Sequence, residues 1–211
     1  VTAISGYLLA LARAFDYCGP AHVIPNGVDV AKFQISNSKF QIKHETQNTK
    51  KEKTIITVSR LVPKNGVDIL IRAFAEVRKI MPDTLLSIVG DGPERDALEK
   101  LAYASGVRDA VVFHGTVPHQ DIPWHLHAAD VFVRASRSEG MGNAFVEAMA
   151  AGLPVIGTAV GGIPDIIAHE ENGLMARPED AHDLARQIIR LFNAPAFAQS
   201  MAAAGNEKAL R

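Results

Sequence analysis

From residue 54 onward the chain alternates between short, unbroken apolar runs and longer segments in which apolar residues return every three or four positions. The apolar runs at 54–59 (TIITVS), 84–89, 110–114, 131–135 and 154–158 are rich in Val and Ile, the pattern of strands buried on both faces. Between them, GVDILIRAFAEVRKIMP sets Val67, Leu70, Ile71, Phe74 and Val77 on one helical face, and PERDALEKLAYASG opens on Pro and closes on Gly106. The cycle continues through HQDIPWHLHAA, NAFVEAMAAG, GIPDIIAHE, NGLMAR and PEDAHDLARQIIRLF. Six strand and helix units in this order predict a doubly wound α/β fold, a Rossmann-like parallel sheet covered on both faces.

The first fifty residues break the cycle. SGYLLALARAF reads as one helix, AHVIPNGVDVAKF as a strand followed by a Pro-Asn-Gly turn, and residues 39–53 as an exposed polar connector. The alanine-rich end, APAFAQSMAAAGNEKALR, reads as a last helix whose packing partner is missing. Composition changes this picture little: 47% of the 211 residues are hydrophobic, 21% are charged, and the formal net charge is −1. That is enough chain for a real core, and the balanced charge argues against a nucleic-acid partner. The single Cys18 excludes an internal disulfide framework and a cysteine zinc site, which makes a reducing cytoplasm the expected compartment. The opening residues lack the basic start and cleavage site of a signal peptide.

In an open parallel sheet a ligand sits beyond the carboxyl ends of the strands. Five loops follow strands here, RLVPKNG, GDGPE, GTVPHQ, SRSEGMGN and AVGGIPD, and every one contains glycine. A tight turn explains any one of these glycines, and a solvated surface explains Arg60 or Lys64 alone. Together they point to an anionic ligand, a phosphate ester, approached closely by backbone and neutralised by two cations. One stretch stands apart: in SEGMGNAFVEAMAAGLP two glutamates lie eight positions apart (147 − 139 = 8), and Glu147 is the only ionisable acid or base from Gly140 to Pro164. With Asn143 as N-cap of the following helix, Glu147 falls just past the first turn among Ala144, Phe145, Val146, Ala148 and Met149. Its charge is accounted for by the helix dipole, by Arg134 or Arg137 as partner, or by a ligand's vicinal hydroxyls.

Other chemistries are excluded or weak. The glycines do not form the dinucleotide fingerprint, and no Walker A sequence occurs, so NAD and P-loop readings fall. His125 and His127 stand on different sides of a helix, which leaves no metal site expected. His114 reads as a hydrogen-bonded core residue and Trp124 as packing.

The blocks VIPNGVD, TVSRLVPKNGVDILIRAF, LSIVGDGPERDALEKLA, VVFHGTVP, ADVFVRASRSEGMGNAFVEAMAAGLPVIGTAVGGIPDII and ENGLMARPEDAHDLARQI resemble, in order, the C-terminal donor-binding half of family 4 retaining glycosyltransferases, of the GT-B fold. The likeness runs from about Val23 to the end. It implies that Arg60 contacts the donor diphosphate and that Lys64 shares the task, although many members carry lysine directly before the glycine, where this chain has Asn65. It implies that Glu139 approaches the hydroxyls of the donor sugar and that Glu147 holds the ribose diol. Gly140, Met141, Gly142 and Asn143 would lie along the sugar and distal phosphate. Phe113 and Gly115 resemble the loop beside the base, with Gly90 and Gly92 giving the backbone room nearby.

The activity implied is transfer of a sugar from a UDP- or GDP-linked donor to an acceptor hydroxyl with retention at the anomeric carbon. Arg60, Lys64 and the helix N-terminus would stabilise the leaving diphosphate without a metal or other cofactor. Family members carry a further N-terminal domain for the acceptor, a saccharide or lipid-linked saccharide. On that comparison residues 1–22 are the remnant of that domain or a linker helix, and residues 23–211 are the donor-binding domain. The expected setting is cytoplasmic, or peripheral on the inner face of a membrane through the absent half. A nucleotide-sugar epimerase and a non-catalytic nucleotide-sugar binding module are the alternatives.

Overall fold

The computed structural model describes residues 1–34 and 52–210. Most of the polar connector expected at 39–53 lies outside them, and its last residue, Lys53, already belongs to the first long strand. The opening segment forms a small parallel pair, β1 (Thr2–Ala3) with β2 (His22–Val23), around helix α1 (Gly6–Ala14), followed by the short helix α2 (Val30–Phe33). Ser5 caps α1 through its side chain, which accepts from the Leu8 amide at 3.3 Å.

The main sheet has six strands: β3 (Lys53–Val58), β4 (Thr84–Val89), β5 (Val111–Gly115), β6 (Val131–Val133), β7 (Val155–Thr158) and β8 (Leu174–Ala176). All are parallel, in the spatial order β5-β4-β3-β6-β7-β8. This is a Rossmann-like α/β sheet, and the order reverses direction between β3 and β6. The intervening helices are α3 (Val67–Ile80), α4 (Arg95–Ala104), α5 (Ile122–His127), α6 (Asn143–Ala150), α7 (Ile163–Ile166), α8 (Ala181–Asn193) and α9 (Pro195–Ala209).

The strands read as continuous apolar runs because the sheet buries both faces. On one side Ile55, Leu86 and Ile88 pack with Leu70, Phe74, Leu184 and Ile188 of α3 and α8. On the other, Ile56, Phe132 and Val155 pack with Leu126, Phe145 and Ile163 of α5, α6 and α7. Phe132 and Phe145 meet edge to face with ring centroids 5.3 Å apart. The strand expected at 131–135 stops at Val133, because the chain then runs over Gly66. A Cβ at Gly66 would lie 1.8 Å from the Ala135 carbonyl oxygen, and its φ is +64°.

Three expectations need correction. The last helix does not lack a partner: α9 packs on α6, with Met201 and Gly205 buried. The Asn206 side chain donates 3.0 Å hydrogen bonds to the carbonyls of Met149 and Ala150. His114 is exposed rather than part of the core. It faces outward on the edge strand β5, bonded to Ser87 Oγ at 2.8 Å and stacked edge-on against His125, and the partial desolvation of its ring by these neighbours, followed by His125's charge, lowers its pKa. Trp124 is 45% exposed.

Candidate functional site

The reversal between β3 and β6 leaves a crevice at the carboxyl ends of those strands, the place where ligands bind in open α/β sheets. The loop after β3 carries Arg60 and Lys64, both exposed, and among the described residues neither has a carboxylate partner. They line an open cavity of about 730 Å³ with Ser59, Pro63, Asn65 and Arg134. Two backbone bonds fasten this loop to the one after β6: the Lys64 carbonyl accepts from the amides of Arg137 (2.7 Å) and Ser138 (3.4 Å).

The loop after β6 carries Glu139. Its Oε1 accepts from the Gly140 amide at 3.1 Å, and its Oε2 lies 2.6 Å from Arg134 Nη2. That approach is a charge contact without hydrogen-bond alignment, since Glu139 Oε2 and Arg134 Nε are both buried with no hydrogen-bond partner. The other buried side-chain atoms left unsatisfied include Ser59 Oγ and Ser136 Oγ, on the same two loops. Unpaired buried polar groups are costly, and four of the seven found among the described residues lie on these two loops, the others being at Thr57, Glu94 and Gln187. Burial lowers the Arg134 pKa against the opposing pull of Glu139 and Glu147, yet a guanidinium stays charged at any working pH.

Helix α6 begins at Asn143, with Gly142 rather than Asn143 as its N-cap and no side chain capping its first amides. Of those amides, that of Phe145 bonds back to the Gly142 carbonyl at 2.9 Å. Glu147 is 14% exposed, and its Oε1 meets His119 Nε2 at 3.1 Å. His119, on the loop after β5, is a neighbour the sequence did not announce, although its loop GTVPHQ was among the five facing the ligand edge. Arg134 acts on Glu147 only through its charge, and Arg137 is occupied elsewhere. The Arg137 guanidinium pairs with both Asp68 oxygens at 2.7 and 2.8 Å, with Glu179, and with the Pro63 carbonyl.

The remaining expected residues divide. Gly140 faces the opening segment, where a Cβ would meet Ile4 and Leu8 at 3.7 Å. Met141 is buried toward the same segment, its Sδ accepting from the Asn26 amide at 3.2 Å, and Asn143 Oδ1 lies 3.4 Å from Asn26 Nδ2. At Gly90 and Gly92 the free space is taken by the protein itself: a Cβ there would stand 1.9 Å from the Ser59 carbonyl oxygen and 2.3 Å from that of Leu61. Phe113 lies within β5, packed against the helix-covered core with the Arg95 and Arg108 guanidiniums 6.0 and 5.8 Å from its ring centroid. Gly115 ends that strand at φ +71°. Among the described residues no three His, Cys, Asp or Glu side chains converge as metal ligands.

Known proteins share this architecture. The chain is 33% identical over its full length to the GDP-mannose-dependent alpha-(1-6)-phosphatidylinositol monomannoside mannosyltransferase of Mycolicibacterium smegmatis, covering 57% of that protein. It thus spans about half the length of the curated relatives it matches. The Anabaena protein HepE, crystallised with UDP, superposes with a TM-score of 0.88 at 27% identity, over 99% of this chain and 58% of HepE. The C-terminal domain of a group 1 glycosyl transferase of Francisella tularensis superposes with a TM-score of 0.74 at 26% identity, over 87% of this chain and 97% of that domain. Residues 38–208 match the family described as glycosyl transferases group 1, and this chain belongs to that family.

Proposed function

We propose that this chain is the donor-binding half of a family 4 retaining glycosyltransferase, taking a sugar from a GDP- or UDP-linked donor to an acceptor hydroxyl. One observation carries the reading: at the reversal of the sheet, Arg60 and Lys64, which have no carboxylate partner among the described residues, line a cavity with Arg134, and the loop bonded to theirs leads into the helix bearing Glu147. The pieces suit a nucleotide sugar in order. Glu147, whose Oε1 meets His119, has a second carboxylate oxygen suited to a ribose diol. Arg60, Lys64 and the amides of α6 suit the diphosphate, and the orphan Oε2 of Glu139 suits a hydroxyl donor of the sugar.

In the proposed reaction the bond between the anomeric carbon and the diphosphate oxygen breaks as the acceptor oxygen bonds to the same face of that carbon and gives up its proton to the leaving diphosphate. Charge then builds on the leaving diphosphate, where fixed cations and helix amides stabilise the transition state more than the ground state. The acceptor site is assigned to a further domain, and the setting to the cytoplasmic side. The likeness to a GDP-mannose-dependent enzyme and to a UDP-bound protein supports a nucleoside diphosphate sugar and leaves both bases to be tried. Isothermal titration with GDP and UDP tests the reading: binding is expected in the wild type and lost in Arg60→Ala/Glu147→Ala. Undiminished binding by the folded double variant would sink the site assignment.

A further inference from the structure

Arg134 is a cation for which the proposed donor site has no role. It stands at the end of β6, 9% exposed, and lines the same cavity as Arg60 and Lys64. Its Nη2 donates to Asn65 Oδ1 at 2.8 Å, and Asn65, itself 3% exposed, donates to the Arg60 carbonyl at 2.6 Å. A buried chain therefore links the Arg60 loop, through Asn65 and Arg134, to Glu139. The last link is poorly made. Glu139 Oε2 comes within 2.6 Å of Nη2 yet has no aligned hydrogen bond, and Arg134 Nε has no hydrogen-bond partner among the described residues.

A buried guanidinium offers five N–H donors, and an unmade bond in a buried ion pair is expensive for both members. Each member of this pair is left with unsatisfied capacity for a third group: an anion for Arg134 and a hydroxyl donor for Glu139. Crowding one Nη2 between a carboxylate and an amide oxygen while Nε stays empty is the arrangement of a stand-in. A diphosphate in the cavity offers several anionic oxygens where Glu139 presents one misaligned contact.

We infer that Arg134 is a third anion-binding residue of this cavity, and that Glu139 occupies it until a diphosphate arrives. The exchange frees Glu139 at the moment the phosphates are seated, so phosphate binding and presentation of the sugar-facing carboxylate are coupled. The inference rests on the proposed donor site and deepens it.

Inorganic pyrophosphate, titrated calorimetrically into the whole chain, tests it without a sugar. Arg134→Gln is expected to weaken pyrophosphate binding by roughly tenfold or more, and Glu139→Gln to tighten it about threefold to tenfold by removing the competitor. In Arg134→Gln/Glu139→Gln the gain from the glutamate change disappears, a non-additivity that a purely scaffolding arginine does not produce. The inference is overturned by wild-type protein that takes up no pyrophosphate, by unchanged affinity in folded Arg134→Gln, or by equal tightening on both arginine backgrounds. Should Arg134→Gln fail to fold, Glu139→Gln alone decides, since unchanged affinity there also overturns it. UDP and GDP run in parallel separate the two readings. Nucleotide binding that needs Arg60 but tolerates Arg134→Gln keeps the donor site and removes this role. Arg134-dependent pyrophosphate binding without any nucleotide binding does the reverse.

Discussion

Arg137 and Arg60 stand on neighbouring loops at the same edge of the sheet, and their surroundings are opposite. Arg137 has each of its nitrogens on a partner: Asp68 from α3, Glu179 before α8 and the Pro63 carbonyl all converge on it. These bonds raise its pKa, Asp68 first and Glu179 second. Arg60 is exposed beside an open cavity and has no carboxylate partner among the described residues. One arginine ties three segments together, and the other is kept available. A cation already neutralised by the protein is a brace, whereas one held at a crevice without a counter-charge is placed for a ligand.

The contrast is best broken at its hinge. Gly66→Ala, which puts a methyl against the Ala135 carbonyl at a positive φ, is expected to cost at least about 3 kcal/mol in urea unfolding and to disable brace and cavity together. Arg137→Ala removes charged hydrogen bonds that are partly exposed, so a loss of about 2 kcal/mol is expected by the same measurement. Arg60→Ala is the converse. Its stability should stay within about 0.5 kcal/mol of wild type, while calorimetric affinity for GDP or UDP falls roughly tenfold. Equal stability losses in the two arginine variants would erase the distinction.

The smallest effect is in acid. Burial alone would raise the Asp68 carboxyl, but the hydrogen bonds and charge of Arg137 outweigh it and hold the pKa below its ordinary value of 3.8. A depressed carboxyl contributes stability that is full above the ordinary value and is lost as pH falls through the folded value. Unfolding midpoints at pH 7 and pH 3 should therefore differ more in the wild type than in Arg137→Ala.

What could be read in the sequence follows from the range of the forces involved. β4 falls at 84–89 and α3 starts at Val67 as the pattern predicts, because a strand covered on both sides must be apolar throughout and a helix on one side must repeat. The crevice was legible for a similar reason, since glycines after strands mark where the backbone must turn. Pairings were not legible. Arg137 meets Asp68 across 69 positions, and His119 meets Glu147 across 28. No local pattern says which arginine a carboxylate will choose. The apolar run at 110–114 predicts a strand that includes Phe113, whereas the family resemblance sets Phe113 in a loop beside the base, and the alternation of exposed Val112 and His114 with inward Val111 and Phe113 agrees with the strand. The docking of α9 was hidden by a helix rich in alanine with no strong stripe. Gly205 and Asn206 together, a small residue beside a long amide, were the signal of a close helix contact, with Gly205 set against Met149.

Asn206 closes the carbonyls at the end of α6, and it does so from 57 residues further along the chain. The segment closes most of that end itself, the amides of Ala151, Gly152 and Leu153 bonding to the carbonyls of Glu147, Met149 and Ala148, while Asn206 adds a second donor at Met149 and reaches Ala150. As the polypeptide leaves the ribosome, the last seal on this helix, at the Ala150 carbonyl, comes only when residue 206 has been made. The helix itself is complete before then, so the last helix docks onto an element already built.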